Sequence, residues 1–147
     1  QNHKYPKGPH CHLTFDQKMV GTQWHRREFL EKDGTFFRWT GPEAVSTIDL
    51  WVQPSDCQLQ LRVINALSAQ DLDQMKLSIN GKSLEWRSDD DGVVREMTAN
   101  VPKSHIKPNG LARVEISLPQ TLSHKEAFQS DDERLVGVAV HWLKFMA

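Results

Sequence analysis

The chain has 147 residues, of which 38% are hydrophobic and 25% are charged, and its formal net charge is -1 at pH 7. This length favours a single domain around one core. The balanced charge provides no field of one sign to attract a polyanion, so nucleic acid and anionic membranes are poor default partners. No apolar run approaches the roughly 20 residues that a membrane-spanning helix needs, and the first residues lack the apolar centre of a signal peptide.

The N-terminal segment, residues 1–19, is rich in Pro, Lys and His, and it is interpreted as an arm or linker that leads into a domain at residues 20–147. The two cysteines, Cys11 and Cys57, form no CxxC pair. Cys57 opens an alternating segment and is expected to be a small buried hydrophobe, while a bridge to Cys11 stays open as an alternative. The His-Cys-His run around Cys11 supplies at most part of a zinc site.

The first dense stretch of the predicted domain, GTQWHRREFLEKDGTFFRWTG (residues 21–41), mixes aromatic and charged side chains. Period-two alternation in FFRWT puts Phe37 and Trp39 on one face and Arg38 on the other. Because large aromatic side chains dominate the energetics of cores, Trp39 is expected to pack inside. Trp24 has basic neighbours, so core packing and a position at a ligand-binding rim are both open for it.

The next segment, STIDLWV (residues 46–52), alternates between apolar and polar positions, which predicts a strand. Ile48 and Leu50 fall on the apolar face, whereas Trp51 lies on the polar face beside Asp49. This alternation argues against a core position for Trp51. Its ring is expected to cover a partner domain, lie under a loop or stack on a sugar. CQLQLRVI repeats the alternation and predicts a second strand.

Two alternating runs in MKLSINGKSLEW surround Asn80-Gly81, a dipeptide that favours a type I′ hairpin turn because both central residues need positive φ. VVREMTANVP, LARVEISLP and RLVGVAVHWLKF are interpreted as further strands. In the last of these, the β-branched valines around Gly137 favour a strand over a helix. By parity with their apolar neighbours, Trp86 and Trp142 are both expected in the core.

Together these segments predict an all-β fold, an antiparallel and jelly-roll-like β-sandwich with about eight to ten strands. Helical patterns are limited to two short candidates at residues 68–74 and 120–129. The turn that contains Asp89, Asp90 and Asp91 could supply calcium ligands. Because the full calcium-loop motif is absent, a solvated turn without a bound ion is the preferred interpretation.

A wider pattern becomes visible once the strands are placed. It comprises Gly21, Trp24 and Glu28, then FFRWTGPEAVSTIDLWV, SINGKSLEW and the closing SDDERLVGVAVHWLKF. Over residues 20–145 the chain resembles a β-sandwich module associated with bacterial glycosyltransferases and cell-surface polysaccharide proteins. It departs from that pattern in lacking prolines between Trp24 and Glu28, and in having two extra residues between Gly21 and Trp24. The resemblance implies an accessory domain beside a sugar-handling enzyme.

The residue types in these segments suit carbohydrate binding. Aromatic faces stack on the apolar C–H surface of pyranose rings, and charged or amide side chains bond the hydroxyls. Asp132 and Arg134 can clamp a loop through bidentate hydrogen bonds, and Arg38 can pair with Asp132 or Glu28. The same groups are candidates to hold sugar hydroxyls. The candidate carbohydrate-binding residues are Trp24, Arg26, Glu28, Arg38, Trp51, Asp132 and Arg134.

The residue types predict a noncatalytic carbohydrate-recognition or docking module, and the resemblance implies that this module belongs to a bacterial polysaccharide-assembly protein. Its expected partner is a carbohydrate or a neighbouring catalytic domain. The alternative is a structural or oligomerising domain, including a homo-oligomer. A small glycan-acting hydrolase is less favoured, since no nucleophile elbow, phosphate loop or HExxH helix is present and no pair of acids stands out as catalytic. No catalytic residue, metal ligand or cofactor is assigned.

Overall fold

A computed structural model describes residues 11–128 and 130–147 as an antiparallel β-sandwich. In this part of the chain the strands are β1 (Cys11–Thr14), β2 (Val20–Thr22), β3 (Glu28–Leu30), β4 (Thr35–Trp39), β5 (Val45–Trp51), β6 (Cys57–Ala66), β7 (Lys76–Ile79), β8 (Lys82–Leu84), β9 (Trp86–Arg87), β10 (Arg95–Val101), β11 (Leu111–Ser117), β12 (Leu122–Ser123), β13 (Leu135–Val136) and β14 (Val138–Met146). The helices are α1 (Ala69–Asp73), α2 (His124–Phe128) and a 3-10 turn (Lys103–His105). The all-β prediction is confirmed. The strand count exceeds the expected one because edge strands of two or three residues are too short to show a period.

The strands form two layers and a small ribbon. The large sheet has the order β3-β4-β14-β6-β10-β9, with β1 also paired to β14. The small sheet has the order β2-β5-β11-β7-β8, and β12 pairs with β13 alone. Inward side chains of both sheets meet in one core, as alternation requires. Large, fully buried side chains of this core include Ile48, Leu59, Leu61, Ile116 and Phe145 of the strands and Phe15 of the turn after β1.

The N-terminal segment joins the sandwich at Cys11. β1 pairs with β14 from Cys11 opposite Phe145 to Thr14 opposite Trp142, and Phe15 is fully buried in the core. The first ten residues of the predicted arm lie outside the described residues. From Cys11 onward the segment interpreted as an arm therefore supplies a strand and a core side chain.

Several local predictions are confirmed. Asn80 and Gly81 have φ values of 52° and 82° and join β7 to β8 as a two-residue hairpin loop. Helix α1 begins after Ser68, whose hydroxyl accepts a hydrogen bond from the Asp71 N–H at 3.1 Å, as N-cap residues do. Helix α2 lies within the second helical candidate, whose residue 129 is outside the described residues.

Cys57 is buried, as expected, with 7% of its surface exposed. Burial, and then the charge of Asp56, raise the pKa of its thiol to about 11. Both Cys57 and Cys11 are free thiols, so the alternative of a bridge between them is not realised in this structure.

The closing segment is divided at Gly137 rather than forming one strand. The Gly137 N–H donates to the Thr40 carbonyl at 2.9 Å, and the Val138 N–H donates to the Thr40 hydroxyl at 3.0 Å. A Cβ at position 137 would clash with that hydroxyl and with the Leu118 side chain. This close approach requires glycine. At Gly137 the chain passes from β13, which pairs with β12, to β14, which belongs to the large sheet.

A β-bulge in β14 exchanges the inward and outward positions of the residues in the second half of the strand. Val140 lies opposite Val63, but two residues later Trp142 lies opposite Arg62, with a register shift between them. A bulge inserts one unpaired residue, here His141, so the alternation of all later residues is inverted. The prediction that Trp142 shares the core-facing parity of the valines is wrong, because Trp142 faces outward and is only half-buried.

Candidate functional site

Three of the seven candidate binding residues form one charged cluster. Arg134 binds Asp132 in bidentate fashion, through Nε to Oδ1 at 3.1 Å and through Nη2 to Oδ2 at 2.8 Å. Its Nη1 lies 3.3 Å from Oε2 of Glu28 in β3. The hydrogen bonds from Arg134 hold the pKa of Asp132 well below its usual range. The predicted loop clamp is confirmed, and these three side chains satisfy one another.

The elements β12, α2 and β13 together form what we call the flap. The clamp holds this flap over a second, smaller hydrophobic cluster on the outer face of the large sheet. The cluster contains Trp39, 4% exposed, with Val136 and Ala139. The ring of His124 in α2 stands edge-on to the Trp39 ring at 5.3 Å, and its Nδ1 lies 3.6 Å from Asp132. Trp39 therefore anchors structure, as the sequence predicts, although beneath the flap rather than between the two sheets.

Arg38 pairs with neither of its predicted partners. Its Nη1 donates to the His25 carbonyl at 2.9 Å, and its Nε is buried with no hydrogen-bond partner in the described part of the chain. Glu28 lies opposite Phe37, and neighbouring residues of a strand face opposite sides. Arg38 therefore points away from the clamp. Burial, and then the nearby Arg27, lower its pKa from the ordinary value.

The remaining candidates lie elsewhere. Trp24 is half-buried; its Nε1 donates to the Thr47 carbonyl at 2.8 Å, and its ring packs against Phe15 at 5.5 Å. Arg26 is exposed in the loop before β3. Trp51 is half-buried on the outer face of the small sheet, as the alternation of β5 predicts. The seven residues thus fall into separate places and form no common pocket.

A different surface combines an aromatic ring with hydrogen-bonding side chains. We call it the open face: the part of the outer surface of the large sheet that the flap leaves uncovered. Its side chains are half-buried or exposed, and most were not singled out from the sequence. The central members are Gln58, Gln60, Arg62, Asn100, Trp142 and Lys144.

Trp142 is the aromatic centre of the open face. The Lys144 ammonium lies 4.3 Å from its ring centroid, and the His12 ring stands edge-on at 6.0 Å. An exposed cation–π contact is worth only about 0.5–1 kcal/mol, and the Lys144 side chain is long and flexible. A ligand ring can therefore displace the ammonium at small cost and keep it as a hydrogen-bond donor.

The polar groups around Trp142 offer both donors and acceptors. Gln58 Nε2 donates to Asn100 Oδ1 at 3.3 Å, so two amides of adjacent strands already bond to each other across the face. Arg62 pairs with Glu96 at 2.8 Å. Burial, and then the charge of Lys144, lower the pKa of His12, which favours its neutral form. Such a mixture of neutral and charged groups suits hydroxyl ligands.

Shallow grooves follow the same end of the sheet. One of about 460 Å³ runs beside Trp86 and Arg87, and another of about 450 Å³ runs beside Gln58. Both are lined by Asn100 and Pro102. A third groove, of about 330 Å³, is lined by His12 and Lys144. Trp86 packs against the core, as predicted, but it is half-buried and also borders the first groove.

His141, the bulged residue of β14, lies beneath the open face. It is 8% exposed, and its Nε2 lies 2.8 Å from the Thr35 hydroxyl. Its Nδ1 is buried and makes no hydrogen bond within the described residues. Burial, and then the charge of Arg62, lower its pKa from 6.5, against a smaller opposite effect of Asp33.

We expect the free energy of unfolding to fall as the pH drops below about 6.5, the ordinary pKa of histidine. The unfolded chain takes up a proton at position 141 in that range, whereas the folded chain resists it, so stability is lost as the pH falls. Urea titrations at pH 7.5 and 5.5 measure the change. The variant His141→Gln can still bond Thr35 and should show a smaller loss. An equal loss in both proteins would contradict the assignment to His141.

The aspartate turn makes its own internal contacts. Asp90 accepts hydrogen bonds from the Glu96 N–H at 2.9 Å and from the Ser88 hydroxyl at 3.4 Å, and the Asp91 carbonyl accepts from Arg95 at 2.9 Å. Within residues 11–128 and 130–147, no group of three or more His, Cys, Asp or Glu residues is arranged to hold a metal ion. In the same ranges, no helix is both long and apolar enough to span a membrane.

Among solved structures, the chain is similar to the native structure of a family 35 carbohydrate binding module from Clostridium thermocellum. The match has a TM-score of 0.53 and covers 92% of this chain and 96% of that chain. The two chains share a fold. At 16% sequence identity the likeness shows the fold alone, so the role of any site rests on its own residues. No family model and no curated protein matches the sequence.

Proposed function

We propose that this chain is a noncatalytic carbohydrate-recognition module and that the open face is its binding surface. The observation that carries the proposal is Trp142, which the bulge turns outward among Lys144, Arg62 and the amide side chains. An indole ring can stack on a pyranose while those groups bond its hydroxyls. The fold shared with a carbohydrate binding module supports this role.

We prefer the open face to the clamp as the binding site because its polar side chains are freer to bond a ligand. Glu28, Asp132 and Arg134 already bond one another, so a ligand there would have to break an ion-pair network. The amides of the open face bond only weakly to each other and can turn towards a ligand. Arg26 and Trp51 belong to other surfaces, and Trp51 marks the rival binding face on the small sheet.

We also propose that the module accompanies an enzyme of bacterial glycan assembly, such as a glycosyltransferase. This part of the proposal rests on the sequence resemblance across residues 20–145. A module of this kind would keep its parent enzyme close to the polysaccharide on which the enzyme acts.

Docking onto a neighbouring domain is the second candidate function, and it is favoured by the edge strand β3. Phe29 is 54% exposed and contacts Phe36 edge-on at 5.3 Å. The guanidinium of Arg27 lies 4.3 Å from the Phe36 ring. Exposed aromatic and Arg side chains are enriched in protein interfaces, so this edge would face a catalytic domain or a second copy.

Carbohydrate recognition can be tested by probing a glycan array with the purified chain. Each glycan that responds is then titrated against the protein, with tryptophan fluorescence as the readout. We expect saturable binding and a change in emission, because Trp142 would be covered. Absence of binding to every glycan, together with a concentration-dependent increase in mass by light scattering, would contradict recognition and support docking.

A further inference from the structure

The register of the large sheet aligns polar side chains in one line across five strands. His12 pairs with Lys144, Lys144 with Gln60, Gln60 with Thr98, and Thr98 with Arg87. Directly paired residues point to the same face of a sheet. These five residues, which we call the cross-strand row, therefore run across the open face at right angles to the strands.

The length of the row suggests the size of its ligand. Neighbouring strands lie about 4.8 Å apart, so the row from β1 to β9 spans roughly 19 Å. A pyranose ring together with its glycosidic oxygen is similar in length to the spacing of neighbouring strands. Successive sugars of a linear glycan would therefore meet successive strands, and each would find a polar side chain of the row.

The surroundings of the row favour a chain that lies along it. Trp142 adjoins the row on one side near the β1 end, because it precedes Lys144 by two residues in β14. Gln58 and Asn100 adjoin it on the other side. Arg87 occupies the opposite end, beside the groove that it shares with Asn100. A stacking ring and hydrogen-bonding groups thus accompany the row along its length.

Both ends of the row are open in the described part of the chain. β1 pairs only with β14, and β9 is the terminal strand of its sheet. In residues 11–128 and 130–147 no further strand therefore closes the row at either end. A site without an end wall accepts the middle of a polymer, whereas a closed pocket selects a chain terminus.

We infer that the open face binds internal segments of a linear glycan of about five sugar units, laid one per strand along the cross-strand row. The inference rests on the proposed function and specifies its ligand. Trp142 stacks on a sugar near one end of the segment, and Arg87 bonds hydroxyls at the other end. A ligand of one or two units would occupy the Trp142 end alone.

This inference can be tested by calorimetry with linear oligosaccharides of increasing length. The oligosaccharides are cut from the polysaccharide that binds most strongly on the array. We expect affinity to rise with each added unit and to level off at about five units, one for each strand of the row. The variant Arg87→Ala should lose roughly tenfold in affinity for the longer oligosaccharides, as for a charged hydrogen bond, and none for the disaccharide. Arg113→Ala, on the small sheet, is the matched control and should change neither.

The outcomes separate this inference from the proposed function. A monosaccharide that binds as tightly as the longest oligosaccharide would overturn the inference and leave carbohydrate recognition standing. An equal loss for all lengths in Arg87→Ala would also overturn it, since that residue would then belong to a compact site. Failure of every glycan to bind would remove the proposed function itself.

Discussion

Substitution of Trp142 by alanine is expected to weaken glycan binding roughly 30-fold, which corresponds to about 2 kcal/mol, the threshold of an aromatic hot spot. The indole supplies the stacking surface of the open face, and the neighbouring polar side chains cannot replace it. The ring is only half-buried, so the free energy of unfolding should change by no more than about 1 kcal/mol. Calorimetric titration and urea denaturation of the same protein measure both quantities.

Phe29→Ala provides the aromatic control. Phe29 is exposed in the edge strand β3, and it faces the same side as Phe36, which packs against the core between the sheets. This substitution should leave glycan affinity unchanged. Trp51→Ala tests the rival face on the small sheet. Loss of binding in Trp51→Ala, with binding retained in Trp142→Ala, would place the site on the small sheet and contradict the assignment.

Substitution of Phe15 by alanine should lower the free energy of unfolding by about 3–5 kcal/mol, the usual cost of removing a buried phenylalanine ring. Phe15 has no exposed surface and packs against Trp24 at 5.5 Å. Its loss leaves a cavity in the core beside the Trp24 ring. Urea denaturation followed by tryptophan fluorescence measures the change.

Val20→Ala is the matched control for the same N-terminal segment, because Val20 is 56% exposed. We expect a change within about 0.5 kcal/mol, as is usual for surface substitutions. If Phe15→Ala were equally mild, the segment before residue 20 would be a linker, as the sequence suggests, and its place in the core would be refuted.

The sequence predicted local structure well where the signal was local. Asn80-Gly81 specified its turn because few dipeptides tolerate two positive φ values. The alternation in β5 placed Ile48 inside and Trp51 outside because the two faces of a strand differ by one residue. Asp132 and Arg134 formed the predicted clamp because they are close in the chain and opposite in charge.

The predictions were wrong where one inserted residue moved the following side chains of the strand to the opposite face of the sheet. The bulge at His141 moves Trp142 to the opposite face of the sheet from the one that alternation predicts. The valines that precede the bulge carry no sign of this change. The alternation of Leu143 and Phe145, read by itself, would have placed Trp142 outside. The sequence predicts that Arg38 pairs with Asp132 or Glu28, but Arg134 pairs with both carboxylates. Which cation reaches a carboxylate depends on the face of the sheet and on distance, and the sequence pattern gives neither.

By itself, the sequence determined the all-β class, the main strands, the two short helices and the absence of a dominant charge, because these follow from composition and from periods of two to four residues. Only the tertiary structure decided that Phe15 belongs to the core, that a flap covers Trp39, and that His12, Gln60 and Arg87 share one row. Strand order and register join residues far apart in the chain, and a one-residue shift in β14 exchanges its two faces. The open face is therefore a product of long-range pairing, which no short pattern encodes.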